Sequence, residues 1–122
     1  MPIKEQSMSD RLEQFRKYRE KMNERIFGEQ HQQINRFFAL DTRTYENGAL
    51  DSRTKEMLGL VASMALRCDD CIAYHVIQSK KEGVTRAEMF EIFNVALVVG
   101  GSIVIPHLRR AVDLLDELEA AV

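Results

Sequence analysis

Apolar residues recur every three or four positions along most of this chain, and nowhere do they alternate with polar ones over the length of a strand. Leu12, Phe15, Met22 and Ile26, with Arg19 in the same stripe, mark a first amphipathic helix. Ser7-x-x-Asp10 serves as its start signal and Gly28 as its stop. A second helix is expected over 29–41, with Ile34, Phe37, Phe38 and Tyr45 supplying its buried side. Asn47-Gly48 reads as a turn, and Asp51 as the N-cap of a third helix over 52–66. That helix carries the stripe Met57, Leu60, Val61 and Met64. Leu58, Ala62 and Ala65 spread the apolar surface around much of its circumference, which calls for burial on most sides.

A fourth helix over 68–82 stops at Gly83. Thr85 and Glu88 form a capping box for a fifth over 86–99, with Val84 and Met89 placed as its hydrophobic staple. Gly100-Gly101 breaks or bends it. The last helix spans 102–120, with Pro106 in its first turns and Leu108, Val112, Leu115 and Leu118 on its buried side. The pattern predicts one all-α domain of about six helices, with residues 1–49 serving packing and assembly and residues 50–118 forming the core. Helices three, five and six carry more apolar surface than so small a domain covers alone, so a homo-oligomer is expected.

Composition narrows the function. The 122 residues are 45% hydrophobic and carry a formal charge of −2, which fits an ordinary globular protein rather than a disordered one. Acids and bases are interspersed with no basic block, so neither nucleic acid nor an anionic membrane is an expected partner. The first residues lack the apolar core of a secretory signal, and the run from Val95 to Ile105 is too short to span a bilayer. A cytoplasmic location is expected. In that reducing setting a lone Cys-x-x-Cys reads as redox-active or metal-binding rather than as a structural staple.

The candidate chemistry sits in Cys68-Asp69-Asp70-Cys71-Ile72-Ala73-Tyr74-His75, which holds both cysteines and one of three histidines. On a helix, positions i, i+3 and i+7 fall at about 0°, −60° and −20°, so two sulfurs and an imidazole share one face. The thiolate is the nucleophile, and helix-terminal amides and an imidazolium both favour it. Asp69 and Asp70 oppose it. A thiolate can attack a peroxide to give a sulfenic acid, and the second cysteine can then close a disulfide. By position alone Glu56 is a solvated glutamate near a helix start, His31 a surface residue and His107 a packed or capping one.

Glu56, twelve residues before Cys68, then Cys68, Cys71, His75, Gly83 and the Gly100-Gly101 segment together resemble the alkyl hydroperoxidase D-like branch of the carboxymuconolactone decarboxylase family. The runs Leu50-Asp51-Ser52-Arg53-Thr54-Lys55-Glu56 and Gly100-Gly101-Ser102-Ile103-Val104-Ile105-Pro106-His107 look like its small single-domain members. The resemblance covers residues 50–118. It implies an all-helical fold, a trimer or hexamer, no cofactor, and a thiol-dependent peroxidase or dithiol–disulfide oxidoreductase chemistry. A hydroperoxide or disulfide would be the substrate and an unidentified thiol the reductant.

By the same resemblance Cys71 attacks the peroxide and Cys68 resolves, while Glu56 and His75 form a proton relay. His107 is a secondary candidate. One position departs from the pattern: better-characterised peroxidases of this type carry histidine just before the second cysteine, where this chain has Asp70.

Two other readings use the same residues. In an acid–base enzyme acting on a small carboxylated lactone, Glu56, His75 and His107 would move protons, with Arg67 as the nearest anion-binding candidate. In a zinc site, Cys68, Cys71 and His75 give three ligands where four are usual, and the span from i to i+7 is about 10 Å on a straight helix, so no metal is expected.

Overall fold

A computed structural model describes the backbone of residues 3–121 and the side chains of residues 11–121. Six α-helices account for the regular structure of the described residues: α1 (Ile3–Gly28), α2 (Gln32–Thr44), α3 (Ser52–Ala65), α4 (Asp69–Lys81), α5 (Arg86–Gly100) and α6 (Ile105–Ala120). A short 3-10 turn, Ser102–Val104, precedes α6. The chain divides into two compact units, one ending at Glu46 and the other running from Asn47 to Ala120.

In the N-terminal unit α1 is already helical at Ile3, so Ser7 and Asp10 lie inside the helix rather than at its start; their side chains lie outside the described residues. Leu12, Phe15, Arg19, Met22 and Ile26 do form its less exposed face, as the spacing predicts. The expectation for the second helix needs correcting in two ways. It begins three residues later than predicted, because His31 is its N-cap: the His31 Nδ1 accepts the Ile34 amide at 3.3 Å. It also buries nothing. Phe37 is 66% exposed and Ile34 42%, and only Asn35 and Phe38 on this helix are half-covered. The apolar stripe is real, but this single chain supplies little to cover it. The Phe27 and Phe38 rings meet edge to face at 4.9 Å.

The C-terminal unit has its own core. Leu60 and Met64 of α3, Val76 of α4, Met89 and Ala96 of α5, Val104 of the 3-10 turn and Leu115 of α6 are fully buried, and Phe93 nearly so. The helix ends follow from local chemistry. Asp51 caps α3 by accepting the Thr54 amide at 2.8 Å, while the Asn47 side chain accepts the Ser52 amide at 2.7 Å. The Thr85/Glu88 capping box is present at the start of α5, and both staple positions, Val84 and Met89, are buried. Glu88 also receives the Arg53 guanidinium of α3, so one carboxylate closes α5 and ties it to α3.

Gly100 lies at the close approach of three elements. A Cβ there would fall 2.5 Å from the buried Val104 Cγ2 and 3.5 Å from the Ala65 backbone. Gly101, at φ +83°, makes the bend. The last helix is thereby shorter than expected, and Pro106 is its second residue, where no intrahelical amide bond is lost.

Helices α3 and α4 end in the same six-residue motif. At the end of α4 the Val84 amide bonds to the Ser79 carbonyl and the Gly83 amide to that of Lys80, with Gly83 at φ +85°. At the end of α3 the Cys68 amide bonds to Ser63 and the Arg67 amide to Met64, both at 3.0 Å, with Arg67 at φ +60°. The position that glycine normally fills is held here by an arginine.

Two measurements test these assignments. Arg67→Gly is expected to raise the unfolding free energy by about 1 kcal/mol or less, as the Cβ strain is relieved against a larger unfolded-state entropy; chemical denaturation reads it directly. The Thr85 backbone amide, then the Arg53 guanidinium, hold the Glu88 carboxyl down at about 2, against an ordinary 4.5. A depressed carboxyl stabilises the fold fully above its unfolded value and loses that contribution as pH falls from 4.5 towards 2. Glu88→Gln should therefore be less stable at pH 7 and show a shallower decline of denaturation midpoint across that interval.

Candidate functional site

The turn between α3 and α4 builds the site. Cys68 is the closing residue of the α3 motif and also the N-cap of α4, in extended backbone at φ −102° and ψ 97°. Its sulfur accepts the Cys71 amide at 3.3 Å. The expected fourth helix thus begins at Asp69, with Cys68 as its cap and Cys71 at its third position. Three residues of helix bring the two Cα atoms to 5.3 Å, within the range a disulfide needs, and Cys68 and Cys71 are joined by one. Cys71 is exposed and Cys68 half-buried, so the pair opens to solvent on the side of Cys71.

One turn further along α4, His75 is only 7% exposed, and its Nδ1 lies 2.8 Å from Oε1 of Glu56, itself 6% exposed. Glu56 is therefore no solvated residue. It lies one helical turn before Leu60, on the buried flank of α3, and its carboxylate meets the imidazole across the α3–α4 contact. When the Glu56 carboxylate is ionised it can only accept, which places the hydrogen on Nδ1 and leaves Nε2 as the basic nitrogen of a neutral ring. His75 and Cys71 are four residues apart on α4 and share a face. The arrangement can take a proton at the imidazole and steady the resulting cation with a buried carboxylate.

The third histidine belongs to the same end of the unit. His107, in the first turn of α6, places Nδ1 2.7 Å from Oδ1 of Asp69, the residue between the cap cysteine and Asp70. Arg110, one turn on, places Nε 3.0 Å from the other oxygen, Oδ2, and its terminal nitrogen 3.4 Å from the His107 Nδ1. At the far ends of the same two helices Lys80 bonds to Glu119 at 3.2 Å. Start thus meets start and end meets end, so α4 and α6 run side by side in one direction. His31 serves as the N-cap of α2 in the N-terminal unit. Among the described residues no group of three or more His, Cys, Asp or Glu side chains could hold a metal ion. None of the described helices is long and apolar enough to cross a membrane.

Of the four residues singled out in the sequence, the structure brings Cys68 to Cys71 and Glu56 to His75, on adjoining turns of α4 and the facing flank of α3. The Asp69–His107–Arg110 cluster was not visible as a unit. Its sequence trace is the three-residue spacing of His107 and Arg110, but nothing in the sequence says that this face meets a residue 38 positions earlier.

Comparison with known proteins agrees with this architecture. A Thermotoga maritima protein with a crystal structure superimposes with a TM-score of 0.86 at 51% identity, covering 88% of this chain and 95% of that one. A second crystal structure of it, at TM-score 0.84, describes a carboxymuconolactone decarboxylase family protein with a suggested part in the antioxidative response. A family protein from Legionella pneumophila matches with a TM-score of 0.80 at 25% identity, over 88% of this chain and 96% of that one. The Paracoccus denitrificans protein called "Uncharacterized protein 4 in cox locus" is 32% identical over 85 residues, 70% of this chain and 77% of its own length. Residues 34–114, which span the turn, the disulfide and both histidine–carboxylate pairs, match the carboxymuconolactone decarboxylase family, and the chain belongs to that family.

Proposed function

We propose that this protein is a thiol-dependent peroxidase, or a closely related dithiol–disulfide oxidoreductase, of the alkyl hydroperoxidase D-like branch of its family. The single observation that carries the reading is the buried Glu56–His75 hydrogen bond set one helical turn behind an exposed cysteine. A histidine–carboxylate pair with that burial is suited to move a proton, and its neighbour on the helix face is a thiol. The suggested antioxidative role of the Thermotoga maritima relative points the same way.

The reaction balances as follows. His75 takes the Cys71 thiol proton, and Glu56 offsets the positive charge on the ring. The thiolate attacks the outer oxygen of a hydroperoxide: an S–O bond forms, the O–O bond breaks, and the leaving alkoxide takes the proton back from the imidazole. The products are an alcohol and a Cys71 sulfenic acid, the sulfur having lost two electrons. The Cys68 thiol then attacks that sulfur, closing the disulfide and releasing water. A dithiol reductant restores both cysteines by exchange, in a reducing compartment such as the cytoplasm.

The helix cap favours charge on Cys68, because the Cys71 amide points at its sulfur. The histidine favours Cys71. Solvent access supports Cys71 as the attacking residue, since it must meet the peroxide, while the half-covered Cys68 need only meet Cys71. An acid–base role on a carboxylated lactone would use the same histidine and glutamate but gives the two cysteines no task.

The subunit is proposed to work as a homo-oligomer, a trimer or hexamer. Leu58, Leu66, Val95, Val98, Val99 and Ile103 are all at least half exposed in the C-terminal unit, from 51% to 78%. With the uncovered stripe of α2, this is more apolar surface than a lone small domain ordinarily leaves in water.

With reduced protein and an organic hydroperoxide, Cys71→Ser is expected to abolish peroxide consumption, while Cys68→Ser gives a single turnover that leaves a trappable sulfenic acid on Cys71. Glu56→Gln should lower kcat/KM by about tenfold or more. Full peroxide consumption by Cys71→Ser removes the proposal, and a sulfenic acid found only on Cys68 reverses the two roles. Light scattering on the purified protein should give the mass of a trimer or hexamer, and a monomer at micromolar concentration would remove the assembly.

A further inference from the structure

We infer that His107 and Arg110 are positioning residues for the cysteine pair, acting through Asp69. Asp69 lies inside the Cys-x-x-Cys sequence, in the first turn of α4, where its carboxylate and a cysteine thiolate compete for the same electropositive helix end. Left to itself, a carboxylate there raises the cost of a second negative charge on either sulfur. Both of its oxygens are instead engaged from α6. Oδ1 meets the His107 Nδ1 at 2.7 Å and Oδ2 meets the Arg110 Nε at 3.0 Å, so the carboxylate is drawn onto α6. His107 holds it from a shielded position, its side chain 16% exposed, while the Arg110 side chain is 56% exposed and its charge correspondingly screened.

The consequence is chemical as well as structural. A carboxylate bound by a guanidinium and an imidazole presents little net negative charge to its neighbours. Removing its partners should therefore make the thiols harder to ionise, and removing the carboxylate itself should make them easier. A purely structural brace between α4 and α6 predicts loss in both cases. Asp70, exposed beside it, Arg67, exposed on the preceding turn, and the buried His75 of α4 with Glu56 of α3 are the other titratable or charged groups around the cysteines and are common to all variants.

The inference rests on the proposed function only in taking the thiolate as the working species, and its test needs no peroxide. The rate of alkylation of the fully reduced protein by iodoacetamide is measured as a function of pH, with helix content and denaturation midpoint recorded for each variant. His107→Leu is expected to slow alkylation at pH 7 by about three- to tenfold and move the profile to higher pH. His107→Asn, which can keep a donor near the Nδ1 position, should lie closer to the parent protein. Asp69→Asn should alkylate faster than the parent, and Asp69→Asn with His107→Leu should match Asp69→Asn within about twofold, the sign that His107 acts through Asp69. A slower Asp69→Asn overturns the inference even if His107→Leu does not fold. An equal effect of His107→Leu with and without Asp69 overturns it as well. Either result leaves the peroxide assays of the cysteine variants untouched, so failure here is separable from failure of the peroxidase reading.

Discussion

The hydrogen bond between Glu56 and His75 is the constraint from which the rest of the C-terminal unit follows. A carboxylate that is 94% removed from solvent is costly to charge unless something shares that charge, and the imidazole across the α3–α4 contact does so. Removing one partner of such a buried hydrogen bond commonly costs about 1–3 kcal/mol, and more when the group left behind is charged. An apolar pair of similar volume would hold two helices together at least as well. The polar pair instead fixes their register, since only one alignment of α3 against α4 brings Oε1 to 2.8 Å from Nδ1.

That register would be useless without the turn that joins the helices. Cys68 completes the hydrogen bonding of α3 with its amide and caps α4 with its sulfur, so no residue of slack separates the end of one helix from the start of the next. The two elements are therefore fixed at both the cysteine end and the histidine end of the first turns of α4. Arg67, in a left-handed conformation that Gly83 adopts without strain at the equivalent place after α4, is the local cost of that join. From the other side α6 grips the same turn through Asp69. The cysteine pair is thus held by α3 behind and α6 alongside, with Cys71 on the exposed side.

The two histidine–carboxylate pairs differ in a way that matches their places. His75 and Glu56 are both buried, so water competes little for their hydrogen bond. His107 meets a carboxylate that is 46% exposed and shared with an arginine, so solvent screens this pair more than the buried one. Burial, rather than residue type, distinguishes the two pairs.

Much of this was legible in the sequence. Helical period, the caps at Asp51 and Thr85, the stop at Gly83 and the break at Gly100-Gly101 are local properties of consecutive residues, and local rules find them. So is the one-turn spacing of Cys71 and His75 on α4, whereas Cys68, expected on the same helix face, caps the helix in extended backbone. The spacing of Glu56 from the cysteines carried a resemblance but no geometry, and by position alone Glu56 read as solvated. Where the apolar stripe of α2 would be buried was likewise beyond reach, because periodicity marks a face and cannot name what covers it. The pairing of Glu56 with His75, and of Asp69 with His107 and Arg110, joins residues 19 to 41 positions apart. Such contacts depend on how whole helices pack, a sum over many side chains, so the sequence by itself determined the helices and the chemistry each one carries. Only the tertiary structure decided which of those groups are buried, which are charged neighbours, and hence which can act together.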